Sequence, residues 1–166
     1  MTLKKLFLPF LIICFVCSCS KTTTVKPQTQ NLEFNIESSI KKEKYTFLAS
    51  CDDNSNLTLT IKKPETLENL KINFSGTTHK IKFLGLEKEL PLDSLEKESV
   101  LRIFYEGFLK SKYTSELVFQ DNEYFLEYRF DDNKYRFYFS QNGLPLSIKG
   151  INNDINILIK GVKILN

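Results

Sequence analysis

Three kinds of side chain in this sequence are able to do chemistry: cysteine thiols, one imidazole and two knots of carboxylates. Cys14, Cys17 and Cys19 crowd near the N-terminus, and Cys51 stands apart. His79 is the only histidine. It has Thr77, Thr78 and Lys80 beside it and no second histidine or cysteine nearby, whereas a His/Cys metal site needs several such ligands at short spacing. It reads as an exposed residue at the start of a strand. Asp52-Asp53-Asn54 and Asp131-Asp132-Asn133 gather acidic oxygens but lack the glycine and downstream glutamate of a calcium loop. Turn chemistry accounts for both, and neither makes a glycosidase pair by sequence. There is no G-x-S-x-G, and no nucleophile–base pair can be assembled. Cys51 ends an alternating apolar stretch, where a thiol acts as a small hydrophobe. Reactivity there would need exposure and a nearby positive charge. No catalytic residue, metal or cofactor is expected, and the chain reads as a non-enzyme.

The thiol with a chemical task is Cys19. Met1 to Lys5 is a short basic stretch, Leu6 to Val16 is an apolar run broken only by Pro9, and Cys17-Ser18-Cys19 is small and weakly polar. This is the layout of a secretory signal. Eleven helical residues span only about 16 Å, against a hydrocarbon core of about 30 Å, so a membrane-spanning helix is the poorer reading. Val16-Cys17-Ser18-Cys19 resembles the lipobox of bacterial lipoproteins: an aliphatic residue, a tolerant position, a small residue and the cysteine that carries lipid. Cys17 does not fit, because a bulky residue precedes it where a small one is needed. The resemblance implies a signal peptide over residues 1–18 and lipidation of Cys19. It also implies a folded part on the extracytoplasmic side, with the membrane as partner through two or three acyl chains such as palmitate. One chain anchors marginally, and several make detachment negligible. Which membrane carries it, inner, outer or single, stays open.

Without residues 1–18, about 148 residues remain, one domain by length. Losing Lys4 and Lys5 leaves 21 basic and 20 acidic side chains, so no nucleic-acid partner is expected. With Cys19 acylated, Cys51 has no disulfide partner and packing must supply stability. Residues 19–31 read as a lipidated flexible tether, polar and without apolar periodicity apart from Val25. Lys41-Lys42-Glu43-Lys44 and Lys62-Lys63 fall near turns, where they are either solvated or touch anionic headgroups.

From residue 32 onward the elements are legible, and the folded domain is assigned to 32–166. Leu32, Phe34, Ile36 and Ile40 alternate with polar residues, as do Tyr45, Phe47, Ala49 and Cys51, then Leu57, Leu59 and Ile61. Leu70, Ile72 and Phe74, then Ile81 and Phe83, continue the period of two expected of strands with one buried face. The period changes over about 92–110, where Val100, Ile103, Phe104 and Phe108 follow helical spacing. Asp93 with Glu96 is a candidate capping box, and Gly107 is the weak point of this helix. Alternation resumes at Leu117 and continues through Tyr128, Phe137 and Ile148 to Ile159 and Ile164, with Asn142-Gly143 as a strong hairpin signal. Tight turns between consecutive strands make an antiparallel meander. The expected fold is mainly β: a curved half-barrel of about ten antiparallel strands, with one helix of about 92–110 packed on its concave face.

This order of elements over residues 32–164 resembles the LolA/LolB-like family, by topology and without a matching motif. The resemblance implies a curved half-barrel with helical cover, and several family members bind acyl chains in the concave cavity. On that reading Phe47, Phe83, Val100, Ile103, Phe104, Phe108, Tyr128 and Phe137 would line an apolar, lipid-binding site. If the same residues pack fully they are ordinary core. The chain is then an envelope accessory protein with a protein-binding outer surface. Both readings stand at this point.

Overall fold

In a computed structural model of the protein, residues 24–40, 43–54, 56–97 and 99–165 are described. Residues 1–18, read above as a signal peptide, Cys19 and the Lys41-Lys42 pair lie outside them. The alternating stretches become β1 (Leu32–Ile40), β2 (Glu43–Cys51), β3 (Leu57–Lys63), β4 (Lys71–Ser75), β5 (Thr78–Phe83) and β6 (Leu86–Pro91). After a helix, α1 (Val100–Lys112), come β7 (Val118–Gln120), β8 (Glu123–Phe130), β9 (Asn133–Phe139), β10 (Pro145–Gly150) and β11 (Asn156–Ile164). All eleven strands form one curved, unclosed antiparallel sheet in the order β6-β5-β4-β3-β2-β1-β11-β10-β9-β8-β7. The first and last strands therefore pair in the middle of the sheet, Ile36 opposite Ile159. The edges are β6 and β7. Segment 92–117 carries the chain from one edge to the other, and α1 lies within it.

Side chains alternate across each strand. Leu32, Phe34 and Ile36 of β1 are buried, with Phe47, Ala49 and Cys51 of β2 and Leu57, Leu59 and Ile61 of β3 registered beside them. Tyr135, Phe137 and Phe139 of β9, Ile148 of β10 and Ile157 and Ile159 of β11 complete this inner face. They share one core cluster with α1. Burying one such large side chain contributes about 1.5–3 kcal/mol, so the pattern alone fixes which face the helix covers.

The expected mainly β, curved antiparallel sheet with one helix is what the chain forms, and two expectations, the helix start and the tether, need correction. The sheet has one strand more than about ten, because β6 (Leu86-Glu87-Lys88-Glu89-Leu90-Pro91) is a mostly exposed edge strand whose charges hide its alternation. The C-terminal alternation forms one strand, bulged where Gly161 takes φ +61°. The helix is shorter at its start than about 92–110. Leu92–Ser94 is a separate 3₁₀ turn, pinned by the buried Leu92, and Leu95 is extended. Ser99 is the N-cap, its hydroxyl accepting the Arg102 N–H at 3.2 Å, so Asp93 and Glu96 are not the cap. The last correction concerns residues 24–31, placed in the tether by composition. Val25 is buried in the core, its carbonyl accepts the Leu117 N–H at 2.9 Å, and Gln28 N–H donates to the Gly143 carbonyl at 2.8 Å. Gly143, at φ +76°, is needed there: a Cβ would overlap the Lys26 carbonyl oxygen.

Candidate functional site

The inner face of the sheet and α1 form the candidate site. Phe104 is its hub. Its ring lies 6.0 Å from Phe34 of β1, 6.2 Å from Phe137 of β9 and 6.3 Å from Phe108 one turn on. A single helical residue thus touches both halves of the sheet. Two tyrosines fasten the helix by hydrogen bonds to backbone. Tyr128 of β8 donates to the Ile103 carbonyl at 2.9 Å, and Tyr105 donates to the Gly76 carbonyl at 3.0 Å while its ring stacks on Phe74 at 4.4 Å. Burial pushes both phenols up from their usual range, Tyr128 strongly. They stay neutral donors.

Seven of the eight residues proposed to line a site meet in this one core: Phe47, Val100, Ile103, Phe104, Phe108, Tyr128 and Phe137. Phe83 does not join them. It is the last residue of β5, half-buried, beside the exposed Leu84. At the centre the helix side chains meet the sheet closely, Ile103 and Phe104 having no exposure at all. Away from α1 the cover thins. Tyr45, Ile81, Tyr124 and Leu126 are partly buried against the core rather than sealed within it.

A polar group lies at one end of α1. The Arg102 guanidinium is buried over the Phe130 ring at 5.2 Å. Its Nη2 donates to Glu106 Oε1 at 2.9 Å and to Asp93 Oδ1 at 3.3 Å, while Nε and Nη1 have no hydrogen-bond partner among the described residues. His79, expected at an exposed strand end, is instead 1% exposed, because it points to the inner face against Phe74. Neither ring nitrogen has a partner in hydrogen-bond geometry among the described residues. Burial first, and then the Arg102 charge, hold its pKa below the usual 6.5, with the Pro91 carbonyl pulling the other way. The signal that finds its burial is the period of two: His79 falls in step with Ile81 and Phe83, between Thr78, Lys80 and Lys82, and so on the inner face.

The remaining sequence candidates sit in structural roles. Cys51 is buried, and burial together with the Asp52 charge pushes its thiol up to about 12. Asp52 accepts hydrogen bonds from Asn54 N–H at 2.9 Å and Asn56 N–H at 2.8 Å, closing the β2–β3 turn. Asp131 pairs with Lys97 at 2.8 Å. Among the described residues, no three His, Cys, Asp or Glu side chains cluster in a way that would hold a metal. No described helix is long and apolar enough to cross a membrane.

No protein-family model matches the chain, and no curated protein matches it. Solved structures do. The crystal structure of an uncharacterized conserved protein from Thermus thermophilus superposes with a TM-score of 0.53 at 10% identity, covering 83% of this chain and 80% of that one. A LolA superfamily protein from Nitrosomonas europaea aligns with a TM-score of 0.46 at 11% identity, over 86% of this chain and 89% of that one. The first likeness shows a shared fold. The second is too loose to carry an argument.

Proposed function

We propose that this chain is a non-enzymatic envelope lipoprotein, held to a bacterial membrane by acyl chains on Cys19, that binds an apolar ligand such as an acyl chain on the inner face of its sheet. One observation supports this above others: the apolar inner face is wider than its cover. Among the described residues one thirteen-residue helix covers part of an eleven-stranded sheet, and Tyr45, Ile81, Tyr124 and Leu126 are left partly buried. Each further Å² of that surface withdrawn from water is worth about 25 cal/mol, so an acyl chain laid beside α1, or in its place, has a driving force. The domain would face the extracytoplasmic side.

A second reading is favoured by two other observations. Ile103, Phe104 and Phe108 already fill the centre of the face. Leu84 and Leu86, 86% and 78% exposed, project from the β5–β6 turn. On that reading the core is permanently packed and the protein works through its outer surface, with an envelope protein as partner. Native mass spectrometry of residues 21–166, purified without detergent, separates the two. A mass raised by one lipid, released on denaturation, is expected from the first. A bare mass overturns it and directs crosslinking toward a partner protein.

A further inference from the structure

The described residues nearest Cys19 in sequence are held at one particular place in the domain. Val25 is buried and bonded to Leu117, directly before β7. Six residue steps separate Cys19 from Val25, and a fully extended chain of that length spans at most about 20–22 Å. With Cys19 acylated, the β7 edge is therefore confined to within that distance of the bilayer.

What the edge displays there is apolar and aromatic. Tyr113, just past the end of α1, is 77% exposed; Val118 is 52% and Phe119 57% exposed. Phe119 rests on the half-buried Tyr124 at 4.6 Å between ring centres. Val118 and Phe119 are consecutive on a strand and point to opposite faces. Hence the edge itself, rather than one face of the sheet, is apolar. The charges around it are mixed. Lys26 and Lys110 and, on the acidic side of the balance, Glu116, Asp121 and Glu123 lie close in sequence to Val25 and β7, all exposed. Such a surface is not drawn to a membrane by net charge. It suits the headgroup level, where Tyr and Phe rings find both apolar and wet surroundings and where the unpaired backbone of an edge strand still meets water.

We propose that the β7 edge, with Tyr113, Val118 and Phe119, is a membrane-contact surface seated in the interfacial layer of the bilayer that Cys19 anchors, holding the domain edge-on. The proposal rests on the acylation of Cys19 in the function proposed above. The chain has no tryptophan, so one introduced indole reports its own surroundings. Full-length Phe119→Trp, produced with its own leader and acylated, is reconstituted into phosphatidylcholine vesicles with or without bromine on the acyl chains. Leu158→Trp is the control: this residue of β11 is 39% exposed on the outer face, four strands away or about 19 Å. The expected result is a blue-shifted emission at position 119 that brominated lipid quenches, with the indole at 158 unquenched. An acylated, vesicle-bound chain whose indole at 119 emits as in water overturns the edge contact and leaves the anchor standing. Equal quenching at both positions overturns it as well. Mass analysis of the N-terminal peptide is made on the same sample. A Cys19 without acyl chains overturns the anchor and, with it, this inference.

Discussion

Gly107 is the residue where two opposing effects are most directly weighed. A glycine inside a helix costs about 1 kcal/mol relative to alanine, so Gly107→Ala should stabilise α1 on propensity alone. But a Cβ there would stand 2.8 Å from Tyr128 Oη and 3.0 Å from Cζ, and Tyr128 is locked by its bond to Ile103 and its stack on Tyr135. Overpacking of a buried site costs about 1–3 kcal/mol, so the substitution is expected to destabilise on balance, read as a lower urea midpoint. The buried titratable residues set the pH limits. Cys51 is held protonated to about pH 12, against 9.0 for a free thiol. The unfolded chain loses that proton first, so stability is full below pH 9 and falls as pH rises toward 12, by at most about 1.4 kcal/mol per pH unit per group. Tyr128 adds to the same decline once pH passes 10. Cys51→Ala should remove the first part of this alkaline loss, and the native thiol should resist iodoacetamide at neutral pH until the chain is unfolded. His79 acts on the other side. Its folded pKa is depressed below 6.5, so the unfolded state takes the proton first and stability falls as pH drops through that value. His79→Leu, which removes two unpartnered buried nitrogens, should flatten this acid limb in urea titrations at successive pH values.

At the scale of elements, the β5–β6 turn departs from its own chemistry. Leu84 and Gly85 both have positive φ, +49° and +81°, the two-residue turn that favours Asn-Gly. A leucine in that region costs about 1 kcal/mol or more, and this one also puts its side chain 86% into water. Leu84→Asn is expected to raise the melting temperature by about 2–4 °C. The same variant should lose any partner or surface that the apolar tip serves, which a pull-down from envelope extracts would show. Other elements obey their local rules and are readable for that reason. β1, β2 and β9 alternate cleanly, because Leu32, Phe34 and Ile36, then Phe47, Ala49 and Cys51, then Tyr135, Phe137 and Phe139 are all buried on one face. β6 escapes such a reading because both of its faces are exposed and no burial selects apolar residues there. The helix start is misleading because Asp93 and Glu96 mimic a capping box while the buried Leu92 holds the chain in a 3₁₀ turn. Seven core residues of the candidate site follow from periodicity. The eighth, Phe83, shares that period but lies at a strand end beyond the reach of α1, a distance no local pattern encodes. Arg102 is not legible at all, since an arginine at a buried helical position looks in sequence like one on a solvated face.

The whole molecule is held together through its middle. Two antiparallel meanders, β1 to β6 and β7 to β11, join through the β1–β11 ladder and through the helix that bridges them on the inner face. Phe104 is where both joints meet, touching Phe34 on one half and Phe137 on the other. Phe104→Ala should therefore act globally. Truncating a fully buried phenylalanine costs about 3–5 kcal/mol, a large share of the roughly 5–15 kcal/mol that stabilises a domain. The variant also opens apolar space at the point where the two proposed functions differ. If the inner face is built to receive an acyl chain, a fatty acid added to Phe104→Ala should occupy that space and recover part of the lost stability, in proportion to the logarithm of its concentration. The wild-type chain should show the same dependence, displaced to higher fatty-acid concentration because α1 competes for the space. If the core is a permanently packed scaffold, the unaltered protein should show no fatty-acid dependence, even where the cavity variant does. Thermal melts of both proteins across a fatty-acid series decide this, and the wild-type curve carries the weight: an engineered void binds apolar molecules whatever its history, whereas a helix that gives way to a ligand in the unaltered protein marks a binding face.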